Sequence, residues 1–108
     1  MKTSYFAKYT GHHGINIALK QPKNVKFKSY PKLFPKWSFL SKYFKDHNKE
    51  EYTKSYHKEV LSKLNPQEVY DELKGCTLLC WEKSGKFCHR RIVAEWLQKE
   101  LGVIVPEK

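Results

Sequence analysis

Arginine is almost missing from this chain. Of its 21 basic residues, only Arg90 and Arg91 are not lysine. Acidic residues are missing from the first 45 positions, which carry ten lysines, whereas the remainder balances eleven basic against eleven acidic residues. The whole formal excess of +10 therefore lies in the N-terminal part, an asymmetry that points to a polyanion-facing surface. No apolar run approaches the roughly 20 residues of a membrane span, and Lys2 leads into no apolar signal core, so no membrane association and a cytoplasmic location are expected. Cysteine is scarce and odd in number; Cys76 and Cys80 share one short apolar run where a mutual bridge would distort a strand, so reduced thiols are expected. With 108 residues and 40% hydrophobic content the chain can bury one core, giving a single domain over residues 1–108.

The elements present alternate. Lys2 to Phe6 reads as an opening strand, and Ile15, Ile17 and Leu19 alternate through a second one. Prolines 22, 31 and 35 make the stretch from Gln21 to Pro35 an irregular excursion. Trp37, Leu40, Tyr43 and Phe44 follow at helical spacing with a stop at His47 and Asn48, and Tyr52, Tyr56, Val60 and Leu64 extend a second helix from about Lys49 to Leu64. Asn65-Pro66-Gln67-Glu68 combines a capping residue, a proline at the first helical position and a glutamate three residues on, and Gly75 closes that helix. Cys76 to Trp81 is apolar on both faces, as a central covered strand is. Ile92, Val93, Trp96, Leu97 and Leu101 mark a last helix ended by Gly102, and Val103 to Val105 a final short strand. The pattern predicts an α/β fold with a small, mostly parallel sheet of about four strands and helices packed on it.

Both arginines, two cysteines and one of the five histidines fall between Cys80 and Arg91, at a strand end and the start of the next helix. Ligands of open α/β sheets gather there, and the helix amides favour an anion. A chain that spells arginine only here calls for a bidentate fork, so Arg90 and Arg91 are expected to grip phosphate. The same field lowers a thiol pKa, making Cys88 the candidate nucleophile, with Cys80 as strand-end packing and Cys76 as core. Glu82 is a candidate base or an ion-pair partner for Arg90 or Arg91. A zinc set of Cys80, Cys88 and His89 with a distant His12, His13 or His57 fits none of the usual spacings, so no metal and no cofactor are expected. The arginine spacing of cysteine phosphatases is also absent, since Lys86 stands six residues after Cys80.

Thr3-Ser4-Tyr5-Phe6, Leu78-Leu79-Cys80-Trp81-Glu82, Phe87-Cys88-His89-Arg90 and Val93-Ala94-Glu95-Trp96-Leu97 together resemble the family of domain of unknown function 488. The resemblance covers the first residues and about the last third of the chain. It implies a compact α/β fold with Ser4, Cys80, Glu82, Cys88, His89 and Arg90 near one site, and it supplies no reaction.

Three functions follow. The leading expectation is a pocket for a nucleotide-like or other phosphorylated small molecule, with Arg90, Arg91 and His89 on phosphate, Ser4, Tyr5 and Cys80 nearby, and Trp81 or Trp37 stacked on a base. Sequestering a nucleotide signal would suit such a domain in a phage or mobile-element genome. The alternative is a cysteine-dependent enzyme with Cys88 as nucleophile and His89 or Glu82 moving protons, although neighbouring helical residues do not face each other. The third is DNA or RNA binding through Lys20, Lys23, Lys26, Lys28, Lys32 and Lys36, interleaved with Phe27, Tyr30, Phe34 and Trp37. The oligomeric state is not legible.

Overall fold

The strand at the centre of the sheet is the one with no polar face. Thr77–Cys80 is buried at all four positions and hydrogen-bonds on both sides, as the computed structural model of residues 1–24, 26–83 and 86–107 shows. The elements are β1 (Lys2–Tyr5), β2 (Gly14–Asn16), β3 (Lys28–Ser29), α1 (Trp37–Asp46), α2 (Lys49–Glu59), α3 (Pro66–Glu72), β4 (Thr77–Cys80) and α4 (His89–Leu101). Strand order is β1-β4-β2-β3 and every pairing is parallel, with Tyr5 opposite Cys80 and Asn16 opposite Leu79. The expected α/β class is thus the observed one.

Alternation along β4 sends neighbouring side chains to opposite faces. Leu78 joins the larger core with Ile15, Ile17, Tyr56, Val93 and Leu97, where the helices lie. Leu79 joins a smaller cluster with Phe6 and Ala18, backed by Tyr9 and Phe27 from loops. Helices therefore cover one face and aromatic loops the other. Each fully buried aliphatic side chain in the larger core contributes about 1.5–3 kcal/mol relative to exposure.

The helix ends follow local rules. Asn65 accepts from the amides of Gln67 and Glu68 at the head of α3, and Asn48 accepts from Glu51 N–H at the head of α2. Gly102 takes φ 69° to close α4. Gly14 is required for space: a Cβ there would meet Leu79 Cδ1 at 2.7 Å and the Tyr9 ring at 2.8 Å.

Several expected boundaries change. The second strand stops at Asn16, because Asn16 Oδ1 accepts from Ala18 N–H and its amide donates to Ala18 O, turning the chain. The Gln21–Pro35 excursion contains β3 and a 3₁₀ turn at Pro31–Leu33. The second helix ends at Glu59, with a 3₁₀ turn at Leu61–Lys63 taking its place. In α1 the buried residue is Phe39, set edge-on to Tyr52 and Tyr56, while Trp37 and Phe44 face outward. The expected strand at Val103–Val105 is instead a tail that meets β1 through a single bridge, Thr3 to Glu107. Cys76 is half-buried at the margin of the core rather than inside it. No helix among the described residues is long and apolar enough to cross a membrane.

Asn65→Ala removes the only side-chain cap of α3 and should cost about 1 kcal/mol. Urea unfolding should show a lower midpoint with an unchanged slope; an unchanged midpoint would mean that packing alone holds α3.

Candidate functional site: an aromatic cavity above two cysteines and a histidine

A cavity of about 420 Å³ opens beyond the carboxyl ends of β2 and β4. Its walls include Ala18, Leu19 and Lys20 after β2, Pro35 with Trp37, Leu40, Tyr43 and Phe44 on α1, Tyr52 on α2, and Trp81, Glu82 and Phe87 around the head of α4. Cys80, Cys88 and His89, all buried, also line it. Two tryptophans stand at this cavity largely exposed, Trp37 at 62% and Trp81 at 53%. Trp81 is nonetheless held: its indole N–H donates to Lys20 O at 2.8 Å and Phe6 packs edge-on at 5.3 Å.

The polar end of the cavity is built by backbone geometry. Cys88 is the N-cap of α4, with extended φ −155° and ψ 146°, so its side chain is not constrained to the helical direction. Cys88 Sγ thereby comes within 3.8 Å of His89 Nδ1, removing the expected objection that neighbours on a helix cannot meet. His89 Nε2 lies 2.7 Å from Ile17 O. A carbonyl only accepts, so Nε2 carries the hydrogen and Nδ1 presents a lone pair toward the sulfurs. Burial, with a smaller contribution from the Arg90 charge, pushes the His89 pKa down to about 4 against the opposing hydrogen bond to Ile17, so the ring is neutral near neutral pH.

The expectation of three reduced thiols is corrected. Cys80 and Cys88 are joined in a disulfide, and Cys76 is the free cysteine. Sequence reasoning weighed only the pair within the strand; the pair that meets joins a strand end to a helix cap eight residues on.

The arginines are placed differently from expectation. Arg90 is fully buried, its Nε and Nη2 donate to the two carboxylate oxygens of Glu107 at 3.1 and 2.7 Å, and its Nη1 donates to Cys80 Sγ at 3.0 Å. The planar fork exists, but it grips the chain's own tail. Arg91, likewise expected to grip phosphate, donates from Nη1 to Thr3 Oγ1 at 2.8 Å and to Val105 O at 2.9 Å. The expected ion pair of Glu82 with either arginine is not formed, since Glu107 takes Arg90 and Glu82 stays exposed at the cavity.

The remaining candidates divide. Trp37, Cys80, Trp81, Glu82, Cys88, His89 and Lys20 meet at the cavity. Ser4 is buried in β1 and lines a separate hollow with Lys8, His12 and His13, and Tyr5 lies under the Arg90 guanidinium at 5.9 Å. Lys32 and Lys36 border an adjoining groove that shares Leu19, Pro35 and Trp37 with the cavity. Lys23, Lys26 and Lys28 are exposed away from it. Phe27 stacks on Phe6 at 5.9 Å and Tyr30 is buried, so neither offers the open stacking platform expected of the basic block. Leu19, Leu40, Tyr43, Phe44 and Phe87 were not foreseen as site residues. The available signal was α1 itself, whose apolar residues at 37, 39, 40, 43 and 44 occupy more of the helix than one core stripe needs.

Parallel strands with a cavity at their carboxyl ends and a helix that begins after Cys88 define an α/β domain. The family model described as "Active DUF488-N3 subclade" matches residues 8–101, and the chain belongs to the DUF488 family. No curated protein and no solved structure matches it.

Two consequences can be measured. Glu107→Ala strands a fully buried guanidinium and should cost on the order of 3 kcal/mol in urea unfolding, and Arg90→Lys should destabilise similarly rather than preserve the fold. A wild-type midpoint in either variant would remove the clamp. His89 titrates lower in the fold than its usual 6.5, so the unfolded chain binds the proton more readily. Stability from this group is complete above pH 6.5, falls through the interval down to about 4, and totals on the order of 3 kcal/mol. His89→Gln should flatten that segment of the stability–pH curve; an equally steep curve would assign it to other groups.

Proposed function

We propose that the protein binds a planar, nucleobase-like ligand carrying phosphate, with the base in the aromatic cavity. The observation that carries this reading is the pair Trp37 and Trp81, both largely exposed and both lining one apolar cavity. Exposed indoles around a concave apolar site serve ligands better than they serve stability. The volume of about 420 Å³ suits a mononucleotide.

The phosphate partner is lysine rather than arginine. Lys20 borders the cavity, and Lys36 and Lys63 border the groove beside Trp37. The side-chain hydrogen bond with Lys36, and then the charge of Lys36, lower the pKa of the exposed Lys63, so the two amines are neighbours and an anion beside them is favoured. The lysine-rich composition of the N-terminal part then has a local use. Sequestration of a nucleotide signal remains compatible with this arrangement.

A second reading, thiol-dependent chemistry on the same ligand, is favoured by Arg90 Nη1 at 3.0 Å from Cys80 Sγ and His89 Nδ1 at 3.8 Å from Cys88 Sγ. In the reduced protein the guanidinium stabilises a Cys80 thiolate, which makes Cys80 at least as strong a nucleophile candidate as Cys88.

Titration of indole fluorescence with adenosine, guanosine, cytidine and uridine monophosphates tests the proposal. At least one should quench the emission saturably, and Trp81→Ala should weaken it by about 1–3 kcal/mol, the value of a base–aromatic stack. Lys36→Ala should weaken the monophosphate and leave the nucleoside unchanged. Absence of saturable binding by any of the four in wild type rejects the reading.

A further inference from the structure

We infer that the reduced protein holds one zinc-like divalent ion between Cys80 Sγ, Cys88 Sγ and His89 Nδ1, with a fourth coordination position open to the aromatic cavity. The inference does not depend on what occupies that cavity. The three donor atoms lie within 4.8 Å of one another, and all three residues are buried. Two thiolates and one imidazole form a donor set that zinc accepts, and three protein ligands beside a cavity are the arrangement of an open rather than a closed site.

Three features beyond the cluster support it. First, His89 is oriented as a ligand: its Nε2–H is held by Ile17 O at 2.7 Å, leaving Nδ1 as the lone pair directed at the sulfurs. Second, Cys80 Sγ already accepts from Arg90 Nη1 at 3.0 Å, the kind of outer hydrogen bond that steadies a metal-bound thiolate. Third, the charges close. Two thiolates balance a divalent ion, and Arg90 is balanced by Glu107, so the buried assembly is neutral overall.

The backbone spacing also fits. The Cα atoms of Cys80 and Cys88 are 7.4 Å apart, wider than the roughly 4.4–6.8 Å usual for a bridged pair. With Zn–S bonds of about 2.3 Å, a tetrahedral ion needs the sulfurs a little under 4 Å apart. Disulfide and ion are alternative states of the same three residues. A dithiol or phosphine reductant supplies two electrons, and two protons complete the thiols. Ion uptake then releases both thiol protons, and the two thiolates and Nδ1 donate to the ion, which undergoes no redox change.

Cobalt(II) titration of the reduced full-length chain, followed by zinc displacement, gives the test. Wild type should develop thiolate-to-cobalt charge-transfer absorption and the visible bands of a tetrahedral ion, saturating at one equivalent and erased by zinc. Cys76→Ser should keep the spectrum, Cys88→Ser should lose the two-thiolate spectrum, and His89→Gln should weaken binding by at least about tenfold. Because a variant can fail to fold, a second readout uses wild type alone: bound zinc should protect Cys80 and Cys88, but not Cys76, from alkylation. No cobalt–thiolate absorption in reduced wild type, a spectrum that depends on Cys76, or unprotected Cys80 and Cys88 at saturating zinc overturns the inference.

Discussion

One buried guanidinium ties this domain together. Arg90 starts in the first turn of α4, lies fully out of water, and bonds both oxygens of Glu107 and the sulfur of Cys80. Removing such a charge from water costs several kcal/mol unless every donor finds an acceptor, so the tail has to come to it. Thr3 N–H donates to Pro106 O at 2.9 Å, Arg91 reaches Thr3 and Val105, and Val105 N–H is taken by the Gln98 side chain at 3.0 Å. The tail thereby covers the free edge of β1, where an unpaired strand would otherwise be exposed.

That clamp also sets the site. With Arg90 fixed, Cys80 is held at the end of β4 and Cys88 and His89 at the cap of α4, so the polar end of the cavity rests on the clamp while its aromatic walls stand on α1 and on the loop carrying Trp81. The polar groups are then divided spatially. The arginines face inward to the fold, and the groups left for a ligand are indoles, lysines, the two cysteines and one neutral imidazole.

Local signals in the sequence read well. The Asn65-Pro66 start, the glycine at 102 and the all-apolar run of β4 each rest on short-range physics, and each is found in place. Contacts between distant residues were not legible. Arginine scarcity pointed to the right residues, yet their partner is Glu107, 17 positions from Arg90 and one of eleven acidic residues with nothing to distinguish it. A fork that binds phosphate and a fork that binds a carboxylate carry the same sequence signature. The two-residue β3, exposed at both positions between prolines, had no hydrophobic alternation to announce it. Val105 is buried by the clamp while Ile104 stays in water, so their apolar run read as a strand although only one bridge forms. In α1, spacing put Trp37 and Phe44 on one stripe with Leu40 and Tyr43 and passed over the buried Phe39, because periodicity shows which residues share a face without showing what covers it.

The proposed ligand site is the cavity, not the arginine pair. Amide and indole chemical-shift mapping by heteronuclear NMR, with a nucleoside monophosphate added to the labelled protein, locates the binding site without any mutation. The account predicts the largest shifts at the Trp37 and Trp81 indoles, at Leu19 and Lys20, and at Phe87 to His89. Shifts confined to Thr3, Arg91 and the tail, or to the hollow around Tyr9 to His13, would contradict it.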